Sequence, residues 1–230
     1  MKDFSQLEKK LKIKFKNHDL LKTAFVHRSY INENSGFDLS HNERLEFLGD
    51  AVLELVITEY LYQNYPNPEG ELTNWRASLV NSQMLAKLAK KIGLENYLYL
   101  SRGESKDANG KARNYILANT FEALIGSIYL DRGYDTAGQF IAEHLIPELP
   151  HILSNQLYLD PKSKFQEIAQ DKLGITPTYK VMKESGPDHA KKFQVGIYLD
   201  KELIATSTGS SKQEAQVKAA ARALEKKNWQ

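Results

Sequence analysis

Along the first 150 residues, apolar side chains recur at helical spacing. Leu45, Leu48, Val52, Leu55 and Val56 fall three and four apart, which predicts an amphipathic helix over 42–62 that stops before the breaker run Tyr65-Pro66-Asn67-Pro68. A second helical stretch opens near Pro68-Glu69 and carries Leu72, Trp75, Leu79, Leu85 and Leu88. Gly93 ends it, after Lys90 and Lys91 in the last turn. The polar, glycine-containing segment 101–112 predicts a loop, followed by helices over 114–130 and about 135–149, with an early helix near 19–27. From Tyr179 the period changes from helical to alternating. Tyr179 and Val181, then Phe193, Val195, Ile197 and Leu199, alternate with polar residues, and Leu203-Ile204 gives a third short strand. A helix over 162–173 precedes the strands and an alanine-rich helix over 212–227 follows them. The chain therefore predicts an all-α domain over 1–150, then a small α+β domain of order α-β-β-β-α over 160–230.

Charge adds one distinction. The 230 residues carry a net charge of only +2, but residues 1–150 hold 18 Lys and Arg against 20 Asp and Glu, whereas 151–230 hold 13 against 9. A small domain with a basic surplus suits a polyanionic partner. With 41% hydrophobic and 26% charged residues, the composition is that of an ordinary globular protein. No apolar run reaches the length of a membrane span, and no apolar segment follows the charges of the opening MKDFSQLEKK, so neither a membrane partner nor a secretory signal is expected. The absence of cysteine removes disulfides and thiolate metal sites, and suits a cytoplasmic setting.

The candidate chemistry is acidic. Glu43, Glu46 and Asp50 share one face of the 42–62 helix, and Glu54 continues the stripe. Such a stripe can be a plain solvated face, yet no Lys or Arg lies on it to offset the like charges. Glu122 is more telling. Between Ile116 and Leu130 it is the one charged side chain, in an otherwise apolar helix, with Asn119 one turn before it on the same face. A buried carboxylate is costly unless paired or bound to metal. It could pair with Arg28, Arg76 or Arg113. Alternatively, two helices offering Glu46 and Asp50 against Asn119 and Glu122 make an all-oxygen site of the kind hard divalent ions prefer. Such a site suits phosphodiester hydrolysis. The sequence has no Ser-His-Asp elbow, no phosphate-cradling glycine loop and no two-histidine zinc motif, so no nucleotide cofactor is expected.

The run Asn42-Glu43-Arg44-Leu45-Glu46-Phe47-Leu48-Gly49-Asp50 resembles the signature of the ribonuclease III family. The segment from Ile116 to Gly126 resembles that family's second metal-binding helix, and the likeness extends over about residues 5–228. The resemblance implies a homodimeric endonuclease of double-stranded RNA acting in RNA processing, dependent on Mg²⁺ with Mn²⁺ as a substitute, and leaving staggered ends with 5′-phosphates and 3′-hydroxyls. It implies Glu46, Asp50 and Glu122 as metal ligands, with Asp50 and Glu122 central to catalysis. Glu43 and Glu69 become accessory acids, and Phe47 the residue that plugs into the partner subunit. The family's usual aspartate is here Asn119, whose amide can ligate a cation without adding charge. Weaker Mg²⁺ binding is expected, and the alternative is a catalytically weak or silent duplex-binding protein.

The second domain resembles a double-stranded RNA-binding domain. By that resemblance Gln166 and Glu167 read the minor groove. Gly186-Pro187-Asp188-His189 enters the next one, and Ser211, Lys212 and Lys218 on the last helix face phosphates across the intervening major groove. The family often has lysines at the positions of Gln213 and Gln216, which predicts fewer phosphate contacts and a shallower dependence on salt.

Overall fold

The computed structural model describes residues 2–106, 110–187 and 191–229. The chain divides into two compact units, Met1–Tyr158 and Leu159–Gln230.

Unit 1 is helical. In order it contains α1 (Ser5–Leu11), α2 (His18–Ala24), α3 (Arg28–Glu33), α4 (Glu43–Asn64), α5 (Glu69–Val80), α6 (Ser82–Ile92), α7 (Arg102–Lys106), α8 (Lys111–Arg132), α9 (Tyr134–Leu145) and α10 (Leu149–Ser154). Helix α8 is the axis of the unit. Helices α2, α4, α6 and α9 pack around it, and this burial explains why its sequence is apolar on nearly every side. Leu117, Phe121, Leu124, Ile125 and Ile128 are all fully buried. Its two buried hydroxyls bond within the helix, Thr120 to the Ile116 carbonyl and Ser127 to that of Leu124.

The stretch expected to run unbroken from Pro68 to Gly93 is two helices. Asn81 adopts an extended conformation, and its side chain accepts the Met84 N–H at 3.0 Å, capping α6. The segment expected as a loop over 101–112 contains α7, and the last helix of the unit is interrupted by a 3₁₀ turn over Ile146–Glu148. Over 68–93 the hydrophobic pattern located the segment but not the cap that divides it.

Unit 2 consists of α11 (Pro161–Leu173), β1 (Thr178–Ser185), β2 (Lys192–Leu199), β3 (Glu202–Gly209) and α12 (Lys212–Lys227). The strands form an antiparallel sheet in the order β1-β2-β3. One face of the sheet is covered by the two helices, with Phe165, Ile197, Leu199, Ile204 and the small residues Ala219, Ala220 and Ala223 at the core. β3 is longer than Leu203-Ile204 alone suggested, because its ladder to β2 extends through polar Thr206, Ser207 and Thr208.

Candidate active site

The start of α4 is pinned from inside. Asn42, buried, donates its side-chain amide to the Ala24 carbonyl at 3.1 Å and its backbone N–H to the Val26 carbonyl at 2.9 Å. With its side chain directed inward, Asn42 does not cap α4. Instead it fixes where the acidic face begins.

Two glycines then set the distance between α4 and α8. A Cβ added at Gly49 would stand 1.8 Å from the Glu122 carbonyl oxygen, and one at Gly126 would stand 2.2 Å from that of Leu45. The helices therefore cross backbone to backbone, which only glycine permits. Glu46 and Asp50 flank Gly49 on one helix, while Asn119 and Glu122 precede Gly126 on the other, so the crossing brings all four to one place. Both glycines lie in the motifs quoted above, but their positioning role was missed. The available signal was a glycine inside each of two otherwise strong helices, where each costs about 1 kcal/mol unless packing compensates.

The electrostatics report this proximity. Burial, and then the charges of Asp50 and Glu46, push the Glu122 carboxyl up to about 8. Glu46 is raised by burial, by Glu43 and by Asp50, while a hydrogen bond with the Asn119 amide works in the opposite direction. Among the described residues Glu122 has no ion pair. Arg28 lies beside Glu43 at 3.8 Å. Arg76 is held by Thr58 at 2.9 Å and lies 3.8 Å from Glu54, and a buried guanidinium nitrogen of Arg113 has no partner among the described residues. Also among the described residues, no three His, Asp or Glu side chains gather tightly enough to hold a metal ion by themselves.

The remaining predicted residues of unit 1 lie outside this cluster. Glu43 is exposed at the head of α4, with His41 Nδ1 3.6 Å from its second oxygen. Glu69 stands apart at the start of α5. It accepts from Thr73 at 3.0 Å and lines a cleft with Thr58, Leu61 and Tyr62. Thr58 is eight residues beyond Asp50, about 12 Å along the helix axis. Phe47 is 81% exposed. It borders a cavity of about 710 Å³ lined also by Leu20, Thr23, Leu45, Leu48 and Leu130. A core role for Phe47 is thus ruled out by its exposure.

In unit 2, Gln166 and Glu167 are exposed on α11, whose cap is Asp160. Gly186, with φ +97°, and exposed Pro187 leave the end of β1, while Asp188 and His189 lie outside the described residues. Ser211 caps α12 by accepting the Glu214 N–H at 3.1 Å. Lys212 and Lys218, both exposed, follow on its first two turns. Gln216 accepts from Lys162 at 2.8 Å.

Comparison with known proteins identifies a family for each unit. Residues 17–149 match the Ribonuclease-III-like family, and residues 161–227 match the double-stranded RNA binding motif. A protein named Ribonuclease 3 from a Nitratiruptor species is 44% identical over 97% of this chain and 96% of its own. One of the same name from a Sulfurovum species is 45% identical over 98% of each chain. The nuclease domain of ribonuclease III from Campylobacter jejuni superposes with a TM-score of 0.58 at 36% identity, covering 64% of this chain and 99% of that one; its structure was described for flexibility in a region involved in dimer formation.

Proposed function

The chain belongs to the ribonuclease III family, and from that premise we propose which of its residues carry the reaction. It is an endoribonuclease of double-stranded RNA, with a helical nuclease unit and a double-stranded RNA-binding motif. The proposal is that Glu46, Asp50 and Glu122, with the Asn119 amide, hold a divalent cation, Mg²⁺ or in its place Mn²⁺, at the α4–α8 crossing. The observation that carries it is Glu122, a half-buried carboxyl forced against two others, without a cationic partner among the described residues. The donor set fits such an ion: it is all oxygen, and Mg²⁺ commonly keeps several waters, so an enclosing protein cage is not required. Bound there, the cation supplies a water of lowered pKa and a polarised phosphoryl oxygen.

The chain's own groups define the rest. Asp50, exposed on α4, and Glu122 face the scissile phosphate. Glu43 and Glu69 are accessory acids in the surrounding clefts. A homodimer is part of the proposal: Phe47 is an exposed aromatic beside an apolar cavity, a self-complementary pairing of the kind a two-fold interface uses. Two clusters in a dimer would each cut one strand, giving staggered ends with 5′-phosphates and 3′-hydroxyls. In unit 2, Gln166, Glu167, Pro187, His189, Ser211, Lys212 and Lys218 are proposed to contact the duplex by shape rather than sequence. RNA processing in the cytoplasm is the corresponding cellular role.

The test is cleavage of a duplex RNA by the purified protein with Mg²⁺, then Mn²⁺. We expect cutting with both, and Glu122→Ala to reduce it at least about 100-fold while duplex binding in Ca²⁺ persists. Undiminished cleavage by Glu122→Ala would remove the α4–α8 crossing from the chemistry.

A further inference from the structure

Two glutamates already occupy the cations that unit 2 would present to RNA. Lys212 Nζ lies 3.2 Å from Glu184 Oε1, a carboxylate carried by β1, and 5.5 Å from the centre of the Phe193 ring. Lys218 Nζ lies 2.7 Å from Glu214 Oε1, one turn earlier on α12. The other Glu214 oxygen accepts from the Ser210 amide at 2.7 Å and from the Ser210 hydroxyl. The bonds from Ser210 hold the carboxylate in place, while the Glu214 N–H donates to the Ser211 hydroxyl that caps α12. These bonds, Lys218 first, hold the Glu214 carboxyl down at about 2, so it stays charged wherever the protein works. Taken together, the side chains of Lys212, Lys218, Glu184 and Glu214 carry no formal net charge, despite the domain's basic surplus.

We propose that Glu184 and Glu214 set the affinity of unit 2, as resident carboxylates that compete with RNA phosphates for Lys212 and Lys218. The inference rests on the reading of the start of α12 as a phosphate-facing surface. Exposed ion pairs are weak, so a phosphate can displace each glutamate, but each displacement subtracts from binding. A ligand that presents one phosphate at a time gains little. A duplex presents phosphates to both lysines at once across its major groove, and recovers both losses together. The glutamates therefore lower affinity for every polyanion and favour duplexes over single strands. Glu184 belongs to no helix cap, so a purely structural role for the two carboxylates does not account for both.

The experiment uses the full chain, in EDTA to prevent cleavage, and a duplex RNA longer than the roughly 16 base pairs such domains span. Dissociation constants are measured by fluorescence anisotropy over a salt series for wild type, Glu184→Gln, Glu214→Gln, the double variant and a Lys212→Ala/Lys218→Ala reference, each also with single-stranded RNA. We expect each glutamine to tighten duplex binding roughly 2- to 5-fold. The double variant should steepen the log Kd against log salt slope by about one to two, and gain proportionally more for the single strand. Glutamine at 214 retains an oxygen for the Ser210 N–H. If thermal melting nevertheless shows α12 loosened, Glu184→Gln alone carries the test. Unchanged affinity and slope in the glutamine variants, alongside weakened binding by the lysine reference, overturns the inference and leaves the phosphate surface standing. If the lysine reference binds like wild type, the surface itself falls, and the inference with it.

Discussion

Glu122 is where sequence and chemistry meet at the scale of one residue. A single carboxylate in an apolar helix was legible as an anomaly, and the structure gives its cause: burial beside Asp50 and Glu46 raises it to about 8. In the metal-free protein this carboxyl keeps its proton when folded but loses it near 4.5 when unfolded. Between those values the folded state binds more protons, so stability falls as pH rises through the window and levels off above it. Half-buried His27 and His144 are lowered instead, so their contribution rises with pH up to their ordinary value of 6.5. Comparison with Glu122→Gln isolates the carboxyl. In EDTA, the melting temperature of wild type relative to the variant should decline from pH 5 to 8, and millimolar Mg²⁺ should reverse the decline. A pH-independent difference between the two proteins refutes the assignment. Asn119 was equally legible as a departure from the family pattern, but its hydrogen bond with Glu46 was not, since it depends on how the helices cross. Replacing it with aspartate adds a charged ligand. Asn119→Asp should tighten Mg²⁺ binding on the order of tenfold by calorimetric titration, and equal affinities would show that position 119 does not touch the ion.

At the scale of elements, the periodic segments were readable because burial imposes the period. α12 was predicted over the residues it occupies, and α4 within two residues at its C-terminal end. What could not be read were boundaries made by one side chain, such as the Asn81 cap that splits α5 from α6. The closeness of α4 and α8 was also illegible, because a glycine in a motif does not declare which backbone it admits. That closeness is testable. Gly49→Ala places a methyl where the Glu122 carbonyl now lies, so the helices must separate or shift. We expect a loss of about 1–3 kcal/mol or more in urea unfolding, and loss of cleavage even where the variant remains folded, because separation pulls Glu46 and Asp50 from Glu122. A folded variant with wild-type cleavage would mean the acids act without this contact. Gly126→Ala should behave alike, since its added methyl meets the Leu45 carbonyl.

At the scale of the molecule, chemistry and recognition fall to different units. The four oxygen donors lie in unit 1, whose first 150 residues carry more acidic than basic side chains, and the basic surplus lies in unit 2. The charge split and the change of hydrophobic period near Tyr179 made that division visible in the sequence. The pairing of Lys212 with Glu184 was not visible, because β1 and α12 meet only through the fold, whereas Glu214 and Lys218 are four apart on one helix, a spacing that brings such a pair together. The division predicts how a truncated chain behaves. Without residues 160–230 the enzyme keeps every group proposed for catalysis but loses the lysines that face phosphate. At low salt, where long-range attraction to RNA is strongest, cleavage by the truncated chain should approach that of the full chain. Near physiological salt its binding should be weaker by roughly tenfold or more, and its rate at limiting RNA should fall with it. The informative measurement is the ratio of the two cleavage rates across a salt series. A ratio that widens with salt locates recognition in unit 2 and chemistry in unit 1. If the truncated chain, folded by circular dichroism, is inactive at every salt concentration, unit 2 contributes to the cleavage step itself, and the separation of roles is wrong.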